Sequence, residues 1–169
     1  MAIVNNVTRL LDSKKIQYTA FELPSEKLGA LETARLLNVA PDIVFKTIVV
    51  TREKPAKPML AVIPGGHELD LKALAAVLGE KKVRLPTQRE AEQLTGLQAG
   101  GISPLALINR GFQVIIDNSA HQHTHIHISG GQRGLNIRMP VADLTSLTRA
   151  RFGAISSPGG PSDSNEQNA

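Results

Sequence analysis

A single α/β domain is the architecture this sequence predicts, on three observations. Helical and strand periodicities alternate along the chain too often for an all-α or all-β protein. At 169 residues the chain suits one core that buries about two thirds of its unfolded surface. No internal repeat is visible, and the composition holds steady until Gly153, so the domain is drawn over 1–152.

The elements follow in order. Val7, Leu10 and Leu11 form one face of an opening helix that Lys14 and Lys15 close. Gln17 to Phe21 reads as a short strand, and Leu31, Ala34 and Leu37 mark a second helix. Val44 to Thr51 is the strongest strand, rich in β-branched residues, and the Pro/Lys stretch 54–58 turns it toward a partner at Met59 to Pro64. Asp70 caps a helix with Leu71, Leu74, Ala75 and Leu78 on one face, which Gly79 stops. Thr87 to Glu90 is a capping box for a further helix ending at Gly96. Phe112 to Asp117 and Ile126 to Ile128 read as strands, and Val141 to Leu147 as the last helix. From Gly153 the residues are Gly, Ser, Pro, Asn and acidic without periodicity, so 153–169 is expected to be a flexible, dispensable tail.

Composition removes several classes of function. There is no cysteine, which excludes disulfides, cysteine metal sites and a protein thiol nucleophile. Met1 to Asn6 has no basic n-region or apolar h-region, and no apolar run approaches the ~20 residues that span a bilayer, so a cytoplasmic protein without membrane partners is expected. The formal charge of +4 favours a polyanionic partner. Aromatics make up only 3%, which argues against base-stacking platforms, and no helix-turn-helix with a basic recognition helix supports DNA binding.

Three segments concentrate the chemistry. Lys46 sits in the apolar run Val44-Phe45-Lys46-Thr47-Ile48-Val49-Val50, where alternation gives it the face of Val44, Ile48 and Val50. A buried ammonium costs several kcal/mol, roughly, unless paired, so it is either a functional cation or a stem whose head snorkels to solvent. Gly100-Gly101-Ile102-Ser103-Pro104 and Ser129-Gly130-Gly131-Gln132-Arg133-Gly134-Leu135 are glycine-rich turns able to present clustered N–H groups. Together they describe an anion-handling pocket. Ser103 lacks a nucleophile elbow and a neighbouring base.

These segments, with Ile115-Ile116-Asp117, resemble in order and spacing the YbaK/EbsC family of aminoacyl-tRNA deacylases, relatives of the editing domain of bacterial prolyl-tRNA synthetases. The resemblance covers residues 4 to 152. It implies a mixed, barrel-like sheet flanked by helices, and trans-editing of mischarged tRNA, foremost Cys-tRNA(Pro). It implies Lys46, Gly100 and Gly101 as catalytic residues, and Ile102, Ser129, Gly130 and Asn136 as substrate-binding residues. It implies no cofactor and no metal. The partners it implies are the aminoacylated acceptor end of tRNA and, for tRNA identity, prolyl-tRNA synthetase. Lys46 would orient the ester and stabilise developing negative charge; a general-base role for its neutral amine ranks second. An Ala-tRNA(Pro)-type hydrolase and a noncatalytic binder of the aminoacyl-tRNA end are the rival readings. Asn136 replaces an aspartate of near relatives, and the segment Phe21 to Leu23 lacks a tyrosine of the cysteine-specific branch.

His121, His123, His125 and His127 alternate, and an extended segment would put all four imidazoles on one face, as a metal site requires. The competing expectation is a solvent-facing segment from which His127 alone approaches the pocket.

Overall fold

The computed structural model of the chain describes residues 3–53 and 55–159. The expectations for Met1 and Ala2, for Lys54 in the hairpin connection, and for the tail from 160 onward fall outside these residues.

The predicted helices form where their caps and apolar faces place them: α1 (Asn6–Ser13), α2 (Ala30–Leu37), α3 (Leu71–Leu78), α4 (Gln88–Thr95) and α5 (Val141–Thr148). Asp70 caps α3 through the Ala73 N–H, with Gly79 left-handed at its end, and Thr87 and Glu90 close the capping box of α4. The strands are β1 (Thr19–Glu22), β2 (Phe45–Arg52), β3 (Met59–Pro64), β4 (His67–Leu69), β5 (Val83–Arg84), β6 (Gln113–Asp117), β7 (His125–Ser129), β8 (Leu135–Pro140), β9 (Arg151–Gly153) and β10 (Ser156–Pro158).

A mixed five-stranded sheet runs β5-β2-β3-β6-β9, with parallel β3/β6 and β6/β9 pairs, and is buried on both faces. Phe45, Val49, Leu60, Val62, Val114 and Ile116 face the inner side of an antiparallel sheet, β1-β8-β7, meeting Ile126, Ile128, Leu135, Ile137 and Met139. The opposite face, with Ile48, Val50, Met59, Ala61, Ile63 and Ile115, packs on Leu74 and Ala75 of α3 and on Ile155. This double burial explains why β2, β3 and β6 read as nearly continuous apolar runs.

The barrel expectation needs correction. The strands divide into three sheets, and the two larger ones meet at a parallel bridge between Val44 and His127 without closing into a barrel. Short β4, β5, β9 and β10 were not anticipated, nor was β8, although Leu135, Ile137 and Met139 alternate inward along it.

The tail boundary at 152 also moves. Gly153 ends β9, Ile155 is fully buried, and β10 pairs antiparallel with β4. Asp117 fixes this segment: its carboxylate caps the following 3₁₀ turn through the Ser119 N–H and accepts from the Ile155 N–H at 3.0 Å. Among the described residues no helix is long and apolar enough to cross a membrane.

Candidate functional site

Where the two sheets meet, the backbone opens a cleft of about 620 Å³ between the start of β2, α2 with its preceding loop, and the two glycine turns. Lys46, Gly100, Ile102, Ser129 and Asn136 all line it, joined by Thr47, with Lys27 and Glu26 at the exposed rim. Five residues chosen from positions 46 to 136 therefore converge on one cleft. Gly101 and Gly130 do not line it.

Lys46 enters from β2 beside Ile63 of β3 and is 5% exposed. Its Nζ donates to the Gly65 carbonyl at 3.4 Å, which draws the ammonium to the turn joining β3 and β4. The position is not a solvated edge, because β2 lies between β5 and β3 and its start is covered by β7. Thr47 beside it is 3% exposed, and its Oγ1 has no hydrogen-bond partner among the described residues.

The glycine turns lean on each other, and this contact dictates their composition. Gly100 holds φ at +90°, a conformation that side chains disfavour. A Cβ on Gly101 would stand 2.8 Å from the Gln132 Cα, so the two backbones pass in direct contact there. Arg133 fastens the same junction, its Nε donating to the Ala99 carbonyl at 2.7 Å. From the other side Asn5, the N-cap of α1, donates through Nδ2 to the Gly130 carbonyl at 2.9 Å and to Gln132 Oε1 at 3.0 Å. The Gly101 N–H is committed to the Gln98 carbonyl at 2.8 Å, and the Gly130 N–H to Leu135 at 2.9 Å. Neither amide is left for a ligand. Those of Gly100 and Ile102 donate to no acceptor among the described residues. Ser103 is fully buried, and its Oγ accepts from the Leu105 N–H at 3.2 Å, a turn-forming role.

Asn136 is 4% exposed and stands on β8 between Phe21 of β1 and Ser129 of β7. Its Oδ1 lies 2.8 Å from His127 Nδ1, so the imidazole donates through Nδ1–H and the amide is held by its oxygen. His127 is 2% exposed beside the Phe21 ring. Burial holds its pKa below the usual histidine value; the Asn136 hydrogen bond opposes this, and nearby Arg138 adds to it. The metal-site geometry is not realised. A 3₁₀ turn spans Asn118–Gln122, His121 stacks on Phe152, His123 lies 3.9 Å from Asp42, and only 125–129 is extended. No group of three or more His, Asp or Glu side chains gathers for a metal among the described residues. Sequence reading missed Thr47, Asn5 and the His127–Asn136 pair; the polar residues interrupting β8 were the available signal for the last.

A mixed α/β domain with a buried lysine and two abutting glycine turns around one cleft defines a class, and comparison with known proteins identifies it. The aminoacyl-tRNA editing domain profile matches residues 26–147. EbsC of Enterococcus faecalis, provisionally named a Cys-tRNA(Pro)/Cys-tRNA(Cys) deacylase, is 34% identical over 152 residues, 89% of this chain and 92% of that protein. The proline–tRNA ligase of Aquifex aeolicus is 33% identical over 91 residues, 53% of this chain and 15% of the ligase. A crystal structure described provisionally as a trans-editing enzyme for prolyl-tRNA synthetase superposes with a TM-score of 0.76 at 22% identity, covering 92% of this chain and 99% of that one. This chain belongs to the aminoacyl-tRNA editing domain family.

Proposed function

We propose that this protein is a cytoplasmic trans-editing deacylase that cleaves the aminoacyl ester of mischarged tRNA, with Cys-tRNA(Pro) as first substrate. The observation that carries the reading is Lys46, an ammonium sunk in the cleft floor beside both glycine turns. Ester cleavage is downhill, so orientation and stabilisation of the developing oxyanion suffice without a protein nucleophile. Lys46 places positive charge where negative charge grows, and the Gly100 and Ile102 amides are the candidate oxyanion donors. Gly101 acts indirectly, by letting the turns meet. Ile102, Ser129 and Asn136 form the wall against the aminoacyl group, while Gly130 shapes that wall from behind. Similarity to EbsC and to a prolyl-tRNA ligase supports the acceptor end of a proline tRNA as the polyanionic partner and prolyl-tRNA synthetase as the protein partner.

For a cysteinyl ester the substrate's own thiol attacks the ester carbonyl, the bond to the ribose oxygen breaks, that oxygen takes the thiol's proton, and cysteine leaves as a thiolactone; for an alanyl ester water attacks and free alanine leaves. The test is single-turnover cleavage of Cys-, Ala- and Ser-tRNA bearing a proline anticodon, with products followed by mass. Cleavage by the wild type that falls at least 100-fold in Lys46→Ala, with tRNA binding retained, supports the reading. Binding of all three without cleavage overturns it in favour of a noncatalytic tRNA-end binder.

A further inference from the structure

The cap of α1 does more than close a helix. An N-cap residue needs one side-chain oxygen, and Asn, Asp and Ser serve about equally well there. Asn5 Oδ1 meets that need by accepting from the Thr8 N–H at 3.0 Å. The amide nitrogen has no part in capping. Its two hydrogens go instead to one turn far along the chain, to the Gly130 carbonyl at 2.9 Å and to Gln132 Oε1 at 3.0 Å. That turn is seated directly on α1. Gly131 holds φ at +93°, and a Cβ there would stand 2.9 Å from Cγ2 of buried Val7 and 3.4 Å from the Ala106 Cβ, so no side chain separates turn from helix.

The anchored turn bears on the cleft at two points. The Gln132 backbone is the surface on which Gly101 lies, and Gly101 is flanked by the Gly100 and Ile102 amides, the candidate oxyanion donors. Gly131, between the two acceptors of Asn5, donates its N–H to Ser129 Oγ at 3.3 Å and so holds a hydroxyl of the cleft wall. A rotation of the turn on α1 therefore displaces the amides and the hydroxyl together. Donors to a developing oxyanion act only within a narrow range of distance, so a shift of about 1 Å is enough to slow the chemistry.

We infer that Asn5 is a positioning residue for ester cleavage: by clamping the 130–132 turn to α1, it holds the Gly100 and Ile102 amides and Ser129 in place around the reacting ester. The inference rests on the deacylase reading above and extends its machinery to a residue outside the cleft lining.

The experiment separates capping from clamping. Asn5→Ser keeps a capping oxygen and loses the amide nitrogen, whereas Asn5→Ala loses both. Each is assayed by single-turnover cleavage of whichever of Cys-, Ala- and Ser-tRNA the wild type cleaves fastest, and of the matching 3′-aminoacyl adenosine, with melting temperature measured alongside. Asn5→Ser should melt within about 2 °C of the wild type, since the cap is retained. Its KM should stay within two-fold, while the rate at saturation falls at least ten-fold on both substrates. Asn5→Ala should lose as much rate and melt lower as well. A saturating rate within two-fold of the wild type in Asn5→Ser overturns the inference and leaves the deacylase reading standing. A loss seen on tRNA but not on 3′-aminoacyl adenosine also overturns it, by assigning the clamp to tRNA binding. Gln132→Ala, at an exposed side chain, is the second variant. It should slow the wild type several-fold and add nothing in the Asn5→Ser background; losses that multiply place the effect outside this contact and overturn the inference. Should Asn5→Ser not fold, Gln132→Ala alone decides, an unchanged rate overturning the inference. Cleavage of none of the three esters by the wild type overturns both readings.

Discussion

Thr47 carries a hydroxyl that the protein itself does not use: it is buried, lines the cleft and has no hydrogen-bond partner among the described residues. An unsatisfied buried hydroxyl costs about 1–3 kcal/mol, so its retention beside Lys46 fits a contact made only with bound ligand. Thr47→Val keeps the shape and removes that cost. Thermal unfolding should show equal or higher stability, by up to about 1 kcal/mol, while single-turnover cleavage falls about ten-fold, the worth of one hydrogen bond. A loss of stability together with activity would make the hydroxyl structural. His127 offers a second test through pH. Its pKa is lowered in the folded chain, chiefly by burial, so the unfolded chain takes up a proton at about pH 6.5 that the folded one refuses. Its contribution to stability is therefore complete above about pH 6.5 and is lost as pH falls through the folded value. The denaturation midpoint should drop between pH 7 and 5, and His127→Gln should flatten that part of the profile.

At the scale of elements, the last strand reaches the site through a relay. The β10/β4 pair is fastened by a 2.8 Å hydrogen bond between Ser156 Oγ and His67 Nδ1 and by the Gly159 N–H donating to the Gly66 carbonyl at 3.0 Å. Gly65, the next residue in that turn, accepts from Lys46 and donates to the Val44 carbonyl at 2.7 Å. Residues 153–159 thus hold the turn that orients the ammonium, and we place the dispensable boundary after 159. A chain ending at Gly159 should match the full chain in melting temperature and cleavage rate, whereas one ending at Phe152 should lose both. Ile155→Ala alone should cost about 2–5 kcal/mol in denaturant unfolding, as expected for a fully buried isoleucine. The contrast with α3 shows what was legible. Its cap, apolar face and glycine stop are local signals, and the helix runs over Leu71–Leu78 as they predict. Segment 153–159 has one apolar anchor and no period; its order comes from Asp117 and β4, far away in sequence, so composition alone suggested a tail. The site divides the same way. Lys46 was legible as a charge in an apolar run and the turns as glycine clusters, whereas Thr47, Asn5 and the turning of Asn136 by His127 depend on long-range pairing.

At the scale of the whole molecule, the cleft lies where the two sheets meet, and the Val44–His127 bridge ties the strand carrying Lys46 to the sheet carrying Ser129 and Asn136. The core between the sheets sets that junction, so cleft width follows from packing and not from the turns alone. On the proposed reading the cleft takes only the aminoacyl end, and among the described residues it buries a single cation, Lys46, whereas a tRNA is a long polyanion. Its affinity must come from outside the cleft, where the formal charge of +4 favours association and Lys27 stands exposed at the rim. Phosphate contacts release counterions, so log affinity should fall with log salt concentration by about 0.7 per contact for a single-stranded acceptor end. Cleavage within the bound complex involves groups shielded from solvent and should respond far less. Raising salt from 50 to 200 mM should therefore raise KM for aminoacyl-tRNA several-fold while leaving the single-turnover rate at saturation nearly constant. Lys27→Ala should raise KM and reduce the salt slope by about 0.7. A minimal 3′-aminoacyl adenosine substrate, without the phosphate chain, should show neither effect. Salt lowering the saturating rate on both substrates alike would mean that the ionic contacts lie within the cleft, with Lys46 carrying the interaction assigned here to the rim.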